Sequence, residues 1–388
     1  ASLERKKIEQ EYKDLLDVIK ELQALLKSEA KRRQAVIAEL TDVKAKYGDR
    51  RKTQIVMLKQ GKVAADLLTV KEITPVENVW IALTKEGRIA KMSEKNPPRL
   101  GGKEAPLAVI KTDSHQNLYL VSKTGKCACM AVQSLATVEE MEAGAEIHRV
   151  TAFEEGDIPI ALFCVGHDQK NSQTSSVNTL SRQGMIKKSL VSELPGPSSD
   201  LFVLCKINDE DELGWVSMVE SGTNFLIATR NGMSIRFDDG EVRAMGLVAA
   251  GVNAIKLAAD DQVAGIVEIK KGSEVFAVSS DGKGWRINED AFPLQGRYGQ
   301  GVNTCKLKPG SIIVGLAVGK KNTQIALHLK RSAAKIIRFD EIEVCKRATS
   351  GKNLVELKTG DDIQRVVGIA DHLPLQAPAA KPVQQSLL

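Results

Sequence analysis

The chain has 388 residues, a hydrophobic content of 43%, a charged content of 27% and a formal net charge of +6. These values are typical of a globular protein with a large core, and no apolar run reaches the roughly 18 residues that a membrane-spanning helix needs. The N-terminal sequence ASLERKKIEQ has no apolar centre and no initiator methionine, which speaks against a signal peptide and predicts a fragment or a processed chain.

The N-terminal part carries the pattern of a coiled coil. Apolar residues recur at alternating steps of four and three over residues 8–26 and again over residues 36–47. The charged residues Glu29 and Arg33 interrupt this seam, so a turn between two helices is predicted there rather than one long helix. We therefore predict an α-helical coiled-coil tail over residues 1–49, with a seam that serves packing.

From residue 50 to residue 372 the sequence repeats. Each copy has an apolar run, a tight turn and a second strand, and Asn-Gly or Asp-Gly between alternating apolar runs is a strong hairpin signal. The turn residues of the six copies are Gly87, Gly125, Gly184, Gly232, Gly282 and, in the sixth, Ala334. A second element recurs every 50 residues, as GVNAIKL from Gly251, GVNTCKL from Gly301 and GKNLVEL from Gly351.

A short loop and another apolar strand follow each second element, so each copy holds about four strands. Units of this kind arranged radially bury their faces against one another and leave only short edges. We predict a mainly β protein: a six-bladed β-pinwheel, which is a propeller-like ring of four-stranded blades, over residues 50–372. An open β-solenoid is the alternative. Residues 373–388 are rich in Pro, Ala and Gln and are predicted to be disordered.

Basic residues recur at one place in the repeat. Four residues after the turn residue, five of the six copies have a cation and the second copy has Cys129; the cations are Lys91, Lys188, Arg236, Arg286 and Arg338. Since residues two apart on a strand share a face, we predict that this column projects alike from every blade and forms a ring of cations on the outer rim. Acidic residues gather elsewhere, in the loop after the second element.

A curved row of cations suits duplex DNA, which carries a charge every ~1.7 Å and can be wrapped without base contacts. The alternative is that these side chains are ordinary solvated residues of an outward face. An aromatic content of only 4% argues against a stacking platform for single strands. A protein of another class, an interaction scaffold that uses its acidic loops, fits the repeats equally well.

The sequence shows no catalytic or metal-binding constellation. It has no GxxxxGK[ST] motif, and the glycine cluster at residues 296–301 precedes a strand rather than a helix. Cys127 and Cys129, near His115, lack the ligand spacing of zinc sites. We therefore expect reduced cysteines packed in the core, no catalytic residue and no metal site.

The order of these motifs resembles the C-terminal part of the DNA gyrase A subunit and of related bacterial type IIA topoisomerases. The resemblance rests on LERKKIEQEYKDLL and KAKYGDRRKTQI in the tail, and on MIKKSLVSELPG, VRAMGLVAAGVNAIKL and FPLQGRYGQGVNTCKL in the repeats. It implies that the tail leaves the DNA-cleavage core of such a subunit and that the repeats form the family's β-pinwheel, which bends duplex DNA around its edge. It also implies Arg297, in the last of these stretches, as a DNA-binding residue.

The hallmark of that family, the gyrase A box Gln-Arg-Arg-Gly-Gly-Lys-Gly, is matched by PRLGGKE at residues 98–104, here called the box segment. Four residues agree and are implied to bind DNA: Arg99, Gly101, Gly102 and Lys103. Three depart: Pro98, Leu100 and Glu104. In gyrases the box supports wrapping that leads to negative supercoiling, so the departures predict a weaker box and leave open a topoisomerase IV-like subunit, which relaxes and decatenates DNA.

The resemblance further implies that this chain acts within a larger enzyme. The family's DNA-cleaving tyrosine lies in an upstream domain, and none of Tyr12, Tyr47, Tyr119 and Tyr298 matches it. A separate B subunit binds ATP and completes the Mg²⁺ site, so we expect no cofactor in this chain. The implied partners are duplex DNA and the B subunit, in an assembly of two A and two B subunits joined through the A-subunit core, in the bacterial cytoplasm at the nucleoid and without membrane contact.

Overall fold

The structure is a computed structural model that describes residues 2–48, 75–166, 169, 175–319 and 322–371. The chain divides into two compact units, residues 1–74 and 75–388. The expected boundary at residue 49, the expected strands that follow it and the expected disordered tail lie outside the described residues. Within the described part of the chain, no helix is long and apolar enough to cross a membrane.

The first unit contains the helices α1 (Ser2–Lys27) and α2 (Glu29–Tyr47). Ser28 separates them and caps α2, because its side-chain oxygen accepts a hydrogen bond from the backbone N–H of Lys31 at 3.4 Å. The predicted turn between two helices is therefore confirmed. The apolar seam residues, for example Ile8 and Leu40, are exposed, so the seam forms no core within the described part of this unit.

The second unit is built mainly from short strands. In chain order they are β1 (Asn78–Leu83), β2 (Arg88–Ser93), β3 (Ala108–Asp113), β4 (Asn117–Val121), β5 (Lys126–Ala131), β6 (Ala145–Glu146), β7 (Ala161–Val165), β8 (Ser175–Ser181), β9 (Met185–Leu190), β10 (Phe202–Val203), β11 (Leu213–Glu220), β12 (Asn224–Thr229), β13 (Met233–Asp238), β14 (Val252–Asn253), β15 (Val263–Ile269), β16 (Glu274–Ser279), β17 (Lys283–Asn288), β18 (Val302–Asn303), β19 (Cys305–Lys306), β20 (Ile313–Gly319), β21 (Gln324–Leu329), β22 (Lys335–Arg338), β23 (Thr349–Ser350), β24 (Lys352–Asn353) and β25 (Ile363–Asp371). A short helix, α3, spans Ile147–Val150. Single 3-10 turns lie at Val132–Ser134, Met141–Ala143, Val191–Glu193, Asp239–Glu241, Glu289–Ala291 and Phe339–Glu341.

The blades share one plan, an antiparallel sheet whose innermost strand lines a central channel. From the channel outward, the strand orders of blades 2 to 5 are β7-β4-β5-β10, β11-β8-β9-β14, β15-β12-β13-β18 and β20-β16-β17-β24. Blade 1 has β3-β1-β2-β6, and blade 6 has β25-β21-β22. The predicted fold, a mainly β pinwheel, is confirmed; blades 1 to 5 have four strands and the described part of blade 6 has three.

The outermost strand of a blade comes from the next repeat in the sequence. In blade 4, β18 pairs with β13, and Val302 lies opposite Ser234. The same exchange pairs β14 with β9 and β24 with β17. Each repeat is therefore linked to its predecessor by main-chain hydrogen bonds as well as by packed side chains. We call β6, β10, β14, β18 and β24 the outer strands.

The ring of blades is closed at two places. Beside the channel, β25 of blade 6 pairs in parallel with β3 of blade 1, which joins the two blades into a seven-stranded sheet. At the outer rim, the backbone N–H groups of Gly102 and Ala334 each donate to the carbonyl oxygen of the other at 2.9 Å. The box segment thus takes, on blade 6, the place that an outer strand takes on the other blades.

The turn glycines are needed for two reasons, as Gly125 shows. Its φ of +80° lies in the left-handed region, and a Cβ there would lie 2.0 Å from the carbonyl oxygen of Cys205 on the neighbouring chain segment. The hairpin turn and the close approach of the next repeat therefore both depend on the missing side chain.

The cysteines belong to the core of the second unit, where five of the six are buried. Burial raises the pKa of the Cys164 thiol to about 12, and the pKa of Cys127 is also raised by burial. Both are therefore neutral thiols that pack as small apolar groups. In the described part of the chain, no group of three or more His, Cys, Asp or Glu residues is arranged to hold a metal ion.

Candidate nucleic-acid interface

The predicted column of cations lies under the outer loops rather than on an exposed rim. Lys91 and Arg286 are buried, and the side chain of Lys188 is only 11% exposed. The column runs along the third strand from the channel, where the outer strand and loop of the next repeat cover it. The expectation that these three side chains form an exposed ring is wrong.

These cations instead bind main-chain carbonyl groups in the 3-10 turn of the next repeat. The carbonyl groups belong to the first residue of a turn or to the residue just after it, and a cation adds a charge-assisted hydrogen bond to them. The bonds are Lys91 Nζ to Val132 at 3.5 Å, Lys188 Nζ to Asp239 at 2.8 Å, Arg236 Nη1 to Glu289 at 2.9 Å and Phe292 at 3.2 Å, and Arg286 Nη1 to Phe339 at 3.2 Å and Ile342 at 3.0 Å. The column therefore links consecutive repeats.

Arg286 is the most completely satisfied of these residues. Besides the two carbonyl groups, its Nε donates to the Glu274 carboxylate at 2.8 Å. A buried guanidinium with a carboxylate and two carbonyl acceptors needs no phosphate to balance its charge. As placed here, Arg286 is a structural residue.

The prediction that Arg338 is the sixth member of the column is wrong by two residues. Ile336 lies opposite Ala326 as Arg286 lies opposite Phe276, so Ile336 occupies the column position in blade 6. Arg338 lies two residues further on; its side chain is 55% exposed and pairs with Asp340 at 3.4 Å. The 50-residue period of the second element contained the signal, because it places the sixth turn at residue 332 rather than at Ala334.

Arg297 lies in the outer loop and is half-buried. Its guanidinium donates to the carbonyl oxygen of Asn253 on the preceding outer strand, and its backbone N–H donates to Glu241 Oε2 at 2.6 Å. Arg347, one repeat later, makes the same contact with the carbonyl oxygen of Asn303. Arg297 thus holds an outer strand in place from the edge of the ring.

A second basic column, which the sequence analysis missed, is exposed on the outer rim. We call Lys206, Lys256 and Lys306 the rim lysines. Each follows an outer strand and is exposed, and the residue two positions before each donates its backbone N–H to the turn-glycine carbonyl of the preceding blade, at 2.8–2.9 Å. Their spacing of 50 residues is visible in the sequence, but Glu356 interrupts the series in the last repeat.

The box segment brings two further cations to this rim. Arg99 and Lys103 are exposed, as is Glu104 between the same blades. Gly102 has a φ of +97°, and a Cβ on Gly101 would lie 3.0 Å from Ile336 Cγ1, so both glycines serve the pairing with blade 6.

Leu100 has a structural place that the comparison with the box did not reveal. It is buried in the apolar cluster between blades 1 and 6, with Val109, Ala326 and Val367 among its neighbours. It therefore anchors the box segment to the junction of the two blades. The segment lacks a charge here because the position faces the core.

The acidic loops follow the outer strands in the chain and reach the turn end of the blades, where several of their carboxylates fix the turns. Each accepts a backbone N–H from the residue before the turn position: Asp211 from Gln183 at 3.0 Å, Asp261 from Asn231 at 3.1 Å and Asp361 from Arg331 at 3.0 Å. Hydrogen bonds to the ionised form lower the pKa of Asp361, that from Ser332 most and that from Arg331 next. This local role accounts for the acidic recurrence without a protein partner.

Three segments of the chain, residues 223–270, 273–320 and 334–370, match the family described as DNA gyrase C-terminal domain, beta-propeller. Among similar proteins, the DNA gyrase A protein of Clostridium acetobutylicum is 27% identical over 262 residues, which are 64% of this chain and 30% of that protein. Its counterpart from Halalkalibacterium halodurans is 28% identical over 270 residues, 65% of this chain and 31% of that protein. The chain thus spans less than a third of the length of these curated relatives.

Solved structures show the same fold. The C-terminal domain of a DNA topoisomerase IV superposes with a TM-score of 0.66 at 19% identity and covers 75% of this chain and 93% of that domain. A DNA gyrase A C-terminal domain superposes with a TM-score of 0.61 at 17% identity and covers 76% of this chain and 100% of that domain. The resemblance that the sequence motifs indicated is confirmed by these matches.

Proposed function

We propose that this chain, whose blades are of the DNA gyrase A C-terminal kind, binds duplex DNA without sequence preference and bends it around its outer rim. The observation that carries the proposal is the exposed row of the rim lysines, which the box-segment cations Arg99 and Lys103 continue across the junction of blades 1 and 6. The row follows the outer strands around the ring. It offers cations to a curved phosphate backbone and no groove-reading element.

The physical basis is electrostatic. Lysines spaced along a surface neutralise phosphates and release counterions, which makes the affinity fall steeply with salt. If about 6 to 10 phosphates are contacted, the affinity should drop by roughly 10³ to 10⁵ between about 50 and 200 mM salt. A salt-independent affinity would contradict the proposal.

The residue-level test reverses three charges on the rim. The triple variant Lys206→Glu, Lys256→Glu and Lys306→Glu should lower the magnitude of the slope of log affinity against log salt by about 3 or more. The matched control reverses three exposed lysines in hairpin turns, Lys85, Lys271 and Lys330, with the same change in net charge. The measurement is fluorescence anisotropy with a duplex of random sequence; equal losses in both variants would overturn the assignment of the rim.

Within this proposal the chain serves an ATP-dependent type IIA topoisomerase in the bacterial cytoplasm. Its partners would be DNA and a B subunit, and ATP and Mg²⁺ would be bound elsewhere in that assembly. The support is the match of the repeats to the gyrase family, together with relatives that are themselves DNA gyrase A proteins. Co-purification of the full-length A protein with a B subunit, followed by a supercoiling assay, tests this part.

A topoisomerase IV-like role is the second candidate, and Glu104 is the observation that favours it. Its exposed carboxylate lies next to Lys103, where it opposes a phosphate. Ligation of nicked circles in the presence of the protein distinguishes the two roles. A clear shift in linking number indicates gyrase-like wrapping, and bending without a shift indicates the second role.

A further inference from the structure

The central channel encloses a cavity of about 1140 Å³. Its wall consists of the innermost strands of the blades, and the apolar residues of these strands line its middle. Charged residues lie where the strands meet the turns, at one mouth. The volume is somewhat above the roughly 300–1,000 Å³ of typical small-ligand sites.

Two arginines approach this mouth from the residue two positions before a turn glycine. Arg182 is held through its backbone N–H, which donates to the carbonyl oxygen of Glu212 at 2.8 Å, and Arg230 is held in the same way by Gln262 at 2.8 Å. The Arg182 guanidinium also lies over the Trp215 ring, 5.4 Å from its centre. These main-chain hydrogen bonds therefore fix the backbone positions of Arg182 and Arg230.

A third arginine reaches the mouth from the opposite side of the ring. Arg365, on the innermost strand of blade 6, is half-buried and donates from Nη2 to the carbonyl oxygen of Ile160 in blade 2 at 3.0 Å. Burial lowers its pKa, and the nearby positive charge of Arg182 lowers it further. Two guanidinium groups thus face a shared space.

The local charge at Arg365 is uncompensated by the described residues. Neither Arg230 nor Arg365 has a described carboxylate oxygen within the 4.0 Å of an ion pair. His328, which lies opposite Arg365 in the β21–β25 pair, is buried with no hydrogen-bond partner on Nε2. Burial, followed by the charges of Lys85 and Arg365, lowers the His328 pKa to about 4.

Carboxylates also line the cavity: Glu212 forms a long ion pair with Arg182, and one oxygen of Asp362 is buried without a hydrogen-bond partner. Glu212 binds Lys123 at 3.2 Å and is 3.9 Å from Arg182, and Asp362 accepts from the Gln364 side chain at 2.8 Å. Asp211 accepts two backbone N–H groups of its own turn region. Glu210 is exposed.

We propose that this mouth of the channel binds a small phosphate-bearing anion, such as a polyphosphate or the phosphate chain of a nucleotide, through Arg182, Arg230 and Arg365. A guanidinium presents two parallel N–H donors that match two oxygens of a phosphate. Three such groups from blades 3, 4 and 6 suit a chain of phosphates better than a single carboxylate. The Gln262 side chain, which accepts from Arg230 Nη1 at 3.1 Å, orients that guanidinium.

The test is calorimetric titration of the full chain with inorganic tripolyphosphate. We expect one site per chain. Arg365→Gln and, in a separate protein, Arg230→Gln should each weaken binding by roughly tenfold or more, because each removes a charge-assisted pair of hydrogen bonds. The Arg230 variant keeps the test valid if the Arg365 variant fails to fold. Its loss should disturb the fold little, because among the described residues the Arg230 side chain bonds only to Gln262. The matched control is Arg338→Gln, an exposed arginine at the outer side.

Phosphate could also come from DNA, so a second arm repeats the titration on protein saturated with a short duplex. Tripolyphosphate affinity within about twofold of the DNA-free value supports a separate site in the channel, since unlinked sites do not alter one another's binding. Displacement by duplex overturns it, as does an equal loss of affinity in Arg338→Gln. The absence of binding to the unmodified chain at low salt overturns the proposal while leaving DNA binding at the rim untouched.

Discussion

At the scale of single residues, the repeats are linked by cations that are buried or half-buried under the outer loops. Lys188, Arg236 and Arg286 each reach forward to carbonyl groups about fifty residues on in the chain. A charge in such a place costs free energy to desolvate, and its hydrogen bonds to carbonyl groups offset that cost. The cations therefore connect repeat to repeat, and their loss should be felt as instability before it is felt as weak DNA binding.

Arg286→Gln tests this directly. The change leaves the Glu274 carboxylate and two carbonyl groups without their cation, so we expect the free energy of unfolding to fall by about 3–5 kcal/mol. Urea denaturation followed by circular dichroism measures it. Arg338→Gln is the control, because its exposed ion pairs should contribute no more than about 1 kcal/mol. Similar stability of both variants would show that the buried contacts matter less than their geometry suggests.

Glu268 gives a dependence on pH. Burial raises its pKa to about 7; Asp239 and Glu220 add to the rise, and Lys270 and Ser217 oppose it. Because the folded pKa exceeds the unfolded one, the folded state loses stability as pH rises from about 4.5 to 7. Glu268→Gln should thus stabilise the protein at pH 8 by roughly 2–3 kcal/mol and have little effect near pH 4.5. Thermal denaturation across pH measures this; a constant difference at every pH would rule out ionisation as the cause.

At the scale of elements, the exchange of outer strands is the central feature. An outer strand is only two residues long, so its pairing alone is weak, and it is stabilised by the apolar residues and arginines beside it. The box segment repeats this arrangement on blade 6, with Leu100 as its apolar anchor. Its pairing joins residues from opposite ends of the repeat region.

Leu100→Arg should open this junction. It adds the arginine of the usual box, but it places a charge in an apolar cluster, at a cost of about 3 kcal/mol or more. Hydrogen exchange at the amides of Gly102 and Ala334 measures the pairing, and both amides should lose protection. Leu100→Met, which keeps the apolar contact, should preserve protection. Retained protection in Leu100→Arg would contradict the anchoring role.

The sequence predicted the secondary-structure elements better than the contacts between repeats. Turn glycines, apolar alternation and the 50-residue period suffice for the blades, because these signals are local. The environment of Arg286 was not predictable in this way, since alternation tells which face of a strand a residue takes and not which segment covers that face. The rim lysines were hidden for a related reason: their exposure depends on strand exchange between repeats, which no single hairpin reveals.

At the scale of the whole molecule, closure determines the path offered to DNA. A ring closed both beside the channel and at the rim presents its cations around the outer edge, and the lysine series is interrupted where Glu356 replaces a basic residue. DNA that follows the edge is bent at an elastic cost of order 1–6 kcal/mol for each 20–30 base pairs, which the contacts must offset.

Glu104→Gly should strengthen the contacts where the DNA crosses the junction of blades 1 and 6. It removes a carboxylate beside Lys103 and leaves the Leu100 anchor in place, so affinity should rise by roughly threefold to tenfold at low salt. Ligation of nicked circles should also show more trapped writhe than with the unmodified protein. Glu86→Gly, an exposed carboxylate at a turn, is the control. An unchanged linking-number shift would mean that the pitch of the ring, and not the charge of the box segment, limits wrapping.

The pairing of Gly102 with Ala334 also has a consequence for biosynthesis. Gly102 leaves the ribosome long before its partner, and at about 5–20 residues per second the wait is on the order of ten seconds or more. During that time the nascent first blade has an unpaired segment and the growing array ends in an open strand edge, which is the kind of surface that captures other chains. A ribosome that pauses within the last repeat would lengthen this interval. Chaperone contact with the nascent chain should therefore peak just before blade 6 is complete and end once the ring closes.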